Sequence, residues 1–142
     1  MERDKILARW ALSPWNSWLK DDAFWRDVFV ELWARIPMDA IKKLGRASPE
    51  LLILPPVFAS RAVAVPRAIQ KGSHILQLDG RLAARGRAQT LGILAHEFAH
   101  LLTVDDLEAD RIASGLGFAS ELRLALANDA PASHPRRQQN AA

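Results

Sequence analysis

Trp25, Phe29, Leu32, Trp33 and Ile36 recur at helical spacing, while Asp22, Arg26, Asp27, Glu31 and Arg35 fill the opposite face. This pattern predicts an amphipathic helix that ends before Pro37. A second short helix is expected over roughly Pro37 to Gly45, stopping at a glycine cap. The period then changes. Leu51 to Leu54, Ala62 to Val65 and Ile75 to Leu78 are short apolar runs bounded by Pro55, Pro56, Pro66, Gly72 and Gly80, the punctuation of strands, so a small sheet of about three strands is expected. From Arg87 the helical spacing returns through Leu91, Leu94, Ala95, Phe98 and either Leu101 or Leu102, as far as Thr103. A following helix is predicted from about Asp106 to Ala127, carrying Ala109, Ile112, Ala113, Leu116, Leu122 and Leu126, with a break at Gly115 or Gly117. This succession of elements describes an α+β domain.

The chain has 142 residues, enough to bury one core, and no internal repeat or long linker divides it. Residues 1–127 are therefore read as one domain, and 128–142, rich in Pro, Gln, Asn and Ala, as a disordered tail. Hydrophobic residues make up 49% and charged residues 25% of the chain, the balance of a globular protein rather than a disordered one. All five Trp lie in the first forty residues. Most of that aromatic area suits a core, but Trp10, Trp15 and Trp18 add more than one helix needs, which leaves room for a protein partner docking at the Trp-rich N-terminal helix.

The net charge is +3, and the cations are spread along the chain rather than gathered in a run, which argues against a nucleic-acid partner. Arg81, Arg85 and Arg87 form the densest grouping and are read as a solvated face. No apolar stretch reaches the length of a membrane span and no leader is evident, so a soluble cytoplasmic protein is expected. Cysteine is absent. Disulfides and thiolate metal sites are thereby excluded, and any metal must be held by His, Asp or Glu.

The candidate chemistry lies in His96-Glu97-Phe98-Ala99-His100, an H-E-x-x-H sequence. On a helix the two His stand one turn apart on one face, so their rings can converge on one ion, and Glu97 projects beside it as general base toward a water molecule. Apolar neighbours on both sides make this a buried helix, where imidazoles and a carboxylate are costly unless paired or metal-bound. Catalytic zinc usually takes three protein ligands. Asp105, Asp106, Glu108 and Asp110 supply candidates for the third. Helical projection turns Asp105 and Asp106 toward the core face, and Asp105 also suits an N-cap closed by Glu108. Asp106 is the favoured third ligand, Glu108 the alternative for the same position, and Asp110 a weaker one.

These residues resemble the HExxH zinc metallopeptidases called zincins, over about half the chain: His74-Ile-Leu-Gln-Leu-Asp79, Gln89 through His100, and Glu108 through Phe118. The resemblance is gluzincin-like, and in size the small ImmA/IrrE-type peptidases, or a minimal metallopeptidase domain, are most similar. It implies a zincin-like α+β fold with N-terminal helices, a small sheet, an active-site helix and a following ligand-bearing helix. In those families an acidic ligand on the later helix is followed four residues on by Asp or Asn, and Asp106 and Asp110 match that pair, Asp110 then orienting a ligand His. The chain departs from the pattern in having Asp where the families have Glu, and in separating it from His100 by only five residues. The metzincin motif has a comparably short spacing, but Thr103 stands where that motif has glycine.

The resemblance further implies a Zn2+ cofactor, a peptide or protein substrate, and an edge strand beside the active helix, for which Ala62 to Val65 or His74 to Leu78 is the candidate. The expected function is a zinc-dependent metallopeptidase with Glu97 as general base. The alternative is a zincin-fold regulatory or interaction module with a structural metal. Hydrolysis needs a donor for the developing oxyanion; the chain has no Tyr, so His74 and Arg111 are the candidates.

Overall fold

In a computed structural model, residues 2–11, 14–57, 65–70 and 73–127 are described. The N-terminal layer consists of α1 (Glu2–Ala11), a 3-10 segment (Pro14–Asp21), α2 (Ala23–Arg35) and α3 (Met38–Ala47). Three strands follow, β1 (Glu50–Val57), β2 (Val65–Gln70) and β3 (Ser73–Asp79). A 3-10 turn (Gly80–Arg85) then leads into α4 (Arg87–Ala99), α5 (Asp106–Ala113), a kinked turn (Ser114–Phe118) and α6 (Ala119–Ala127). The architecture is α+β. Among the described residues no helix is long and apolar enough to cross a membrane.

α2 starts where Asp22, in extended conformation, accepts a hydrogen bond from the Trp25 amide, and it ends at Ile36, ahead of Pro37. α3 runs past the expected glycine stop. Gly45 lies inside the helix, where α1 packs so closely that a Cβ would stand 2.9 Å from the Ile6 side chain, and Ser48 is the cap instead. The expected break in the last long helix is at Gly117, whose φ of 103° is open to glycine at little cost. Arg35 holds this kink against α2: it donates to the Gly117 carbonyl at 2.9 Å and to the Glu121 carboxylate at 2.7 Å, and its guanidinium lies 4.3 Å from the centre of the Phe118 ring.

The sheet has the order β1-β3-β2, with β1 parallel and β2 antiparallel to β3. His74 to Leu78 therefore belongs to the central strand and is not an edge, which corrects one of the two expectations. Of the other segment, only Val65 falls within the described residues. One outer edge is closed. Asn16, buried in the 3-10 segment, accepts from the Ile53 amide at 2.7 Å and donates to the carbonyls of Leu51 at 2.8 Å and Trp10 at 2.7 Å, as a neighbouring strand would. Among the described residues, β2 carries the remaining edge.

Alternation gives the sheet one covered face. Leu51, Ile53, Leu76 and Leu78 are buried, and they join α2, α4 and α6 in one apolar cluster. Trp10, Trp25 and Trp33 are buried within it. Trp18 is partly buried and donates its indole N–H to the Ile53 carbonyl. Trp10, Trp25 and Trp33 are thus used in the core and Trp18 is tied to β1; the Trp15 side chain lies outside the described residues, as does the tail from residue 128. The packing is tightest between α4 and α6, where a Cβ on Gly92 would overlap the Glu121 carbonyl.

Gly92→Ala should consequently force the two helices apart and cost about 1–3 kcal/mol of stability in denaturant unfolding. Gly115→Ala, with no atom within 4 Å of the added Cβ, should be neutral or stabilising by up to about 1 kcal/mol. Equal effects of the two changes would contradict this account of the interface.

Candidate metal centre

α4 carries two faces. Leu91, Leu94 and Phe98 belong to the apolar cluster, and the Phe98 ring stands 5.9 Å from that of Trp10 and 6.3 Å from that of Phe29. With that side anchored, His96 and Glu97 are held at 0% and 1% exposure within the protein. The helix closes at His100, with φ −68° and ψ −9°, through a tight turn in which the Leu101 and Leu102 amides bond to the carbonyls of Phe98 and Ala99. Leu101, rather than Leu102, turns inward. Asp105 then caps α5, its carboxylate accepting from the Glu108 amide at 2.8 Å. No non-glycine residue among those described has a positive φ, so the turn through Thr103 needs no glycine. Five residues are enough to bring Asp106 back beside His100.

His96, Glu97 and His100 place ligand-type atoms within 4.8 Å of one another, a group that could hold a metal ion. The hydrogen bonds specify more. His96 Nδ1 lies 2.6 Å from an Asp110 carboxylate oxygen, and His100 Nδ1 lies 2.9 Å from the Thr103 carbonyl oxygen. A carbonyl only accepts and a carboxylate ordinarily does, so each neutral ring carries its proton on Nδ1 and turns a lone pair out at Nε2. The two Nε2 atoms are 3.1 Å apart, and Asp106 Oδ1 stands 3.3 Å from the first and 3.0 Å from the second. With both rings neutral, three electron-pair donors crowd one point, an arrangement that repels itself unless a cation or an added proton lies among them. The donors of a tetrahedral ion bonded at about 2.0–2.1 Å are separated by about 3.3–3.4 Å, so this triangle fits one with adjustment of a few tenths of an ångström. Glu97 Oε1 is 3.8 Å from His96 Nε2, beside the triangle rather than at one of its corners.

The sequence-derived candidates separate clearly. Asp106, 4% exposed, meets both rings. Glu108 does not reach them: its carboxylate accepts from Arg111 at 2.6 Å, which engages both side chains in the exposed first turns of α5. Asp110 stands behind His96 as the orienting carboxylate. The Thr103 carbonyl, which does the same for His100, was not foreseen; a backbone oxygen leaves no mark in a sequence. Arg81 pairs with Asp79 at 2.9 Å and Arg87 with Glu31 at 2.6 Å, both arginines half-exposed as a solvated face. His74 is partly buried, and burial pulls its pKa below the ordinary 6.5, so its ring is neutral at pH 7. His134 lies outside the described residues.

No protein-family model, curated protein or solved structure matches this chain. The site stands on its own geometry.

If this group holds a metal ion, Asp110, which sets the tautomer of His96, contributes to its affinity: with zinc as the probe, Asp110→Ala should bind about 10–100-fold more weakly than the parent in competition with a chromogenic chelator. Asp110→Asn, whose amide oxygen can still accept from Nδ1, should fall between that variant and the parent. Unchanged affinity in both would mean that the Asp110 contact does not orient the ring.

Proposed function

We propose that this chain is a zinc-dependent metallopeptidase of the zincin type, in which His96, His100 and Asp106 hold the metal and Glu97 is the general base. The observation that carries this reading is the convergence of two Nε2 lone pairs and one carboxylate oxygen at 3.0–3.3 Å, with both Nδ1 atoms engaged elsewhere. Two imidazoles and one carboxylate, with a further position left for water, form a ligand set of catalytic rather than closed structural zinc.

Zinc bound there supplies Lewis acidity, which lowers the pKa of water toward neutrality and polarises a carbonyl. Glu97 is placed to take a proton from the water that attacks the peptide carbonyl carbon and to pass it to the amide nitrogen as the C–N bond breaks. Asp110 and Thr103 hold the two rings in the tautomer that binds metal, and the capped turn at Asp105 fixes Asp106 in register. The edge of β2 supports extended peptide as the substrate, since a strand added there would be bound through its main chain with little side-chain selectivity.

The decisive comparison follows zinc content and cleavage of casein in Glu97→Gln, His100→Ala, Asp106→Ala and Glu108→Ala. Glu97→Gln should keep zinc and lose cleavage by about 10²–10⁴-fold. His100→Ala and Asp106→Ala should lose both, while Glu108→Ala should resemble the parent. Zinc retained in Asp106→Ala and lost in Glu108→Ala would overturn the ligand assignment, and zinc without cleavage in the parent would favour an interaction module with a structural metal.

A further inference from the structure

Thr103, in the turn between α4 and α5, is bonded through all three of its polar groups. Its amide donates to the Ala99 carbonyl at 3.2 Å, which keeps it on the end of α4. Its carbonyl accepts from His100 Nδ1 at 2.9 Å. Its hydroxyl accepts from the Asp105 amide at 3.2 Å, the reach of two residues by which Ser and Thr side chains close a local turn. One residue thus ties the end of α4, a histidine of the metal group and the residue that caps α5.

The hydroxyl bond spans the exposed joint of this connection. On one side, the Leu101 and Leu102 amides bond back to Phe98 and Ala99. On the other, Asp105 starts α5, its carboxylate accepting from the Glu108 amide at 2.8 Å and its carbonyl from the Ala109 amide at 2.9 Å. Val104 lies between them, 89% exposed, with its side chain in solvent and little packing to fix its backbone. Ala109 and Ala113 are buried and dock α5 as a body; the hydroxyl bond sets the place of its first residue, Asp106. Threonine suits this task because its β-branch restricts χ1 and holds the oxygen in position. A glycine would offer the same amide and carbonyl without the hydroxyl, and no residue of the turn has the positive φ that calls for one.

We infer that the Thr103 hydroxyl is a positioning group of the metal centre: by holding Asp105 to Thr103 it keeps the carbonyl that orients His100 and the carboxylate of Asp106 in one register, so that both side chains reach the same ion. This rests on the reading of His96, His100 and Asp106 as metal ligands. Thr103 acts through its neighbours, not on the ion. Asp106 Oδ1 stands 3.0 Å from His100 Nε2, and donors already gathered in this way give up less freedom when an ion binds than donors that must first be assembled. Loosening the joint therefore weakens binding without removing any ligand.

Zinc affinity tests this, read in competition with a chromogenic chelator at a temperature where the proteins compared are folded. Thr103→Val keeps the branched shape and removes the hydroxyl, and it should bind zinc about 3–10-fold more weakly than the parent, the range of one lost hydrogen bond. Thr103→Ser keeps the hydroxyl and should recover most of that loss. With cobalt as the probe, the visible spectrum of Thr103→Val should depart from the one shared by the parent and Thr103→Ser. A hydroxyl that served folding alone would lower the melting temperature and leave the affinity of the folded protein unchanged. That result, or equal weakening in both variants, overturns this inference and leaves the ligand assignment standing. Independently of variant folding, the Asp105 amide of the parent should exchange with solvent more slowly than an unbonded exposed amide, and more slowly again with zinc; exchange at the unbonded rate in both states also overturns it. A parent that binds no zinc overturns the ligand assignment itself.

Discussion

Phe98 and His96 lie two residues apart on one helix and answer to opposite demands, and the rest of the site depends on meeting both. Phe98 is locked against Trp10 and Phe29 in the aromatic core, which fixes the rotation of α4 about its axis. With the rotation fixed, His96 and Glu97 are buried on the other side, where an imidazole and a carboxylate are tolerated only in company. Asp106, Asp110 and the Thr103 carbonyl provide that company for the two imidazoles, all three from the segment that leads into and along α5. Core and chemistry are thus two sides of the same helical turn.

The burial of these polar groups opposes folding unless their charges are balanced, and here the balance is incomplete without a cation. Two lone pairs and a carboxylate oxygen at 3.0–3.3 Å repel one another, so an ion that bound the native arrangement and not the unfolded chain would draw the equilibrium toward the fold. The shell behind the ligands is economical. One carboxylate and one backbone carbonyl set both tautomers, and both come from the residues between the end of α4 and the second turn of α5.

Much of this was legible in the sequence because its signals are local. The H-E-x-x-H spacing, the pair Asp106 and Asp110 four residues apart, the Asp105 cap and the break at the glycine pair all express helical periodicity within a few residues. What sequence reading missed depended on partners distant in the chain. Gly45 looked like a helix stop and is instead the place where Ile6 comes close. Trp10 and Trp18 suggested surplus aromatic surface, yet Trp10 packs against Trp33 at 6.0 Å and against Phe98 of α4, and Trp18 donates to the Ile53 carbonyl. His74 to Leu78 read as a candidate edge, and only the non-sequential order β1-β3-β2 makes it the centre. Helical projection favoured Asp106 over Glu108, and the contacts of Asp106 with both rings, with Glu108 on Arg111, depend on how α5 docks on α4 and leave no mark in the local sequence.

The central claim is that His96, His100 and Asp106 converge on a zinc ion, and X-ray absorption at the zinc edge of the purified, dialysed protein tests it most directly. The account predicts one ion per chain with a first shell of nitrogen and oxygen only, at about 2.0–2.1 Å, and the outer-shell scattering of two imidazoles. A protein that retains no zinc after dialysis, or whose bound zinc shows no imidazole scattering, would contradict it.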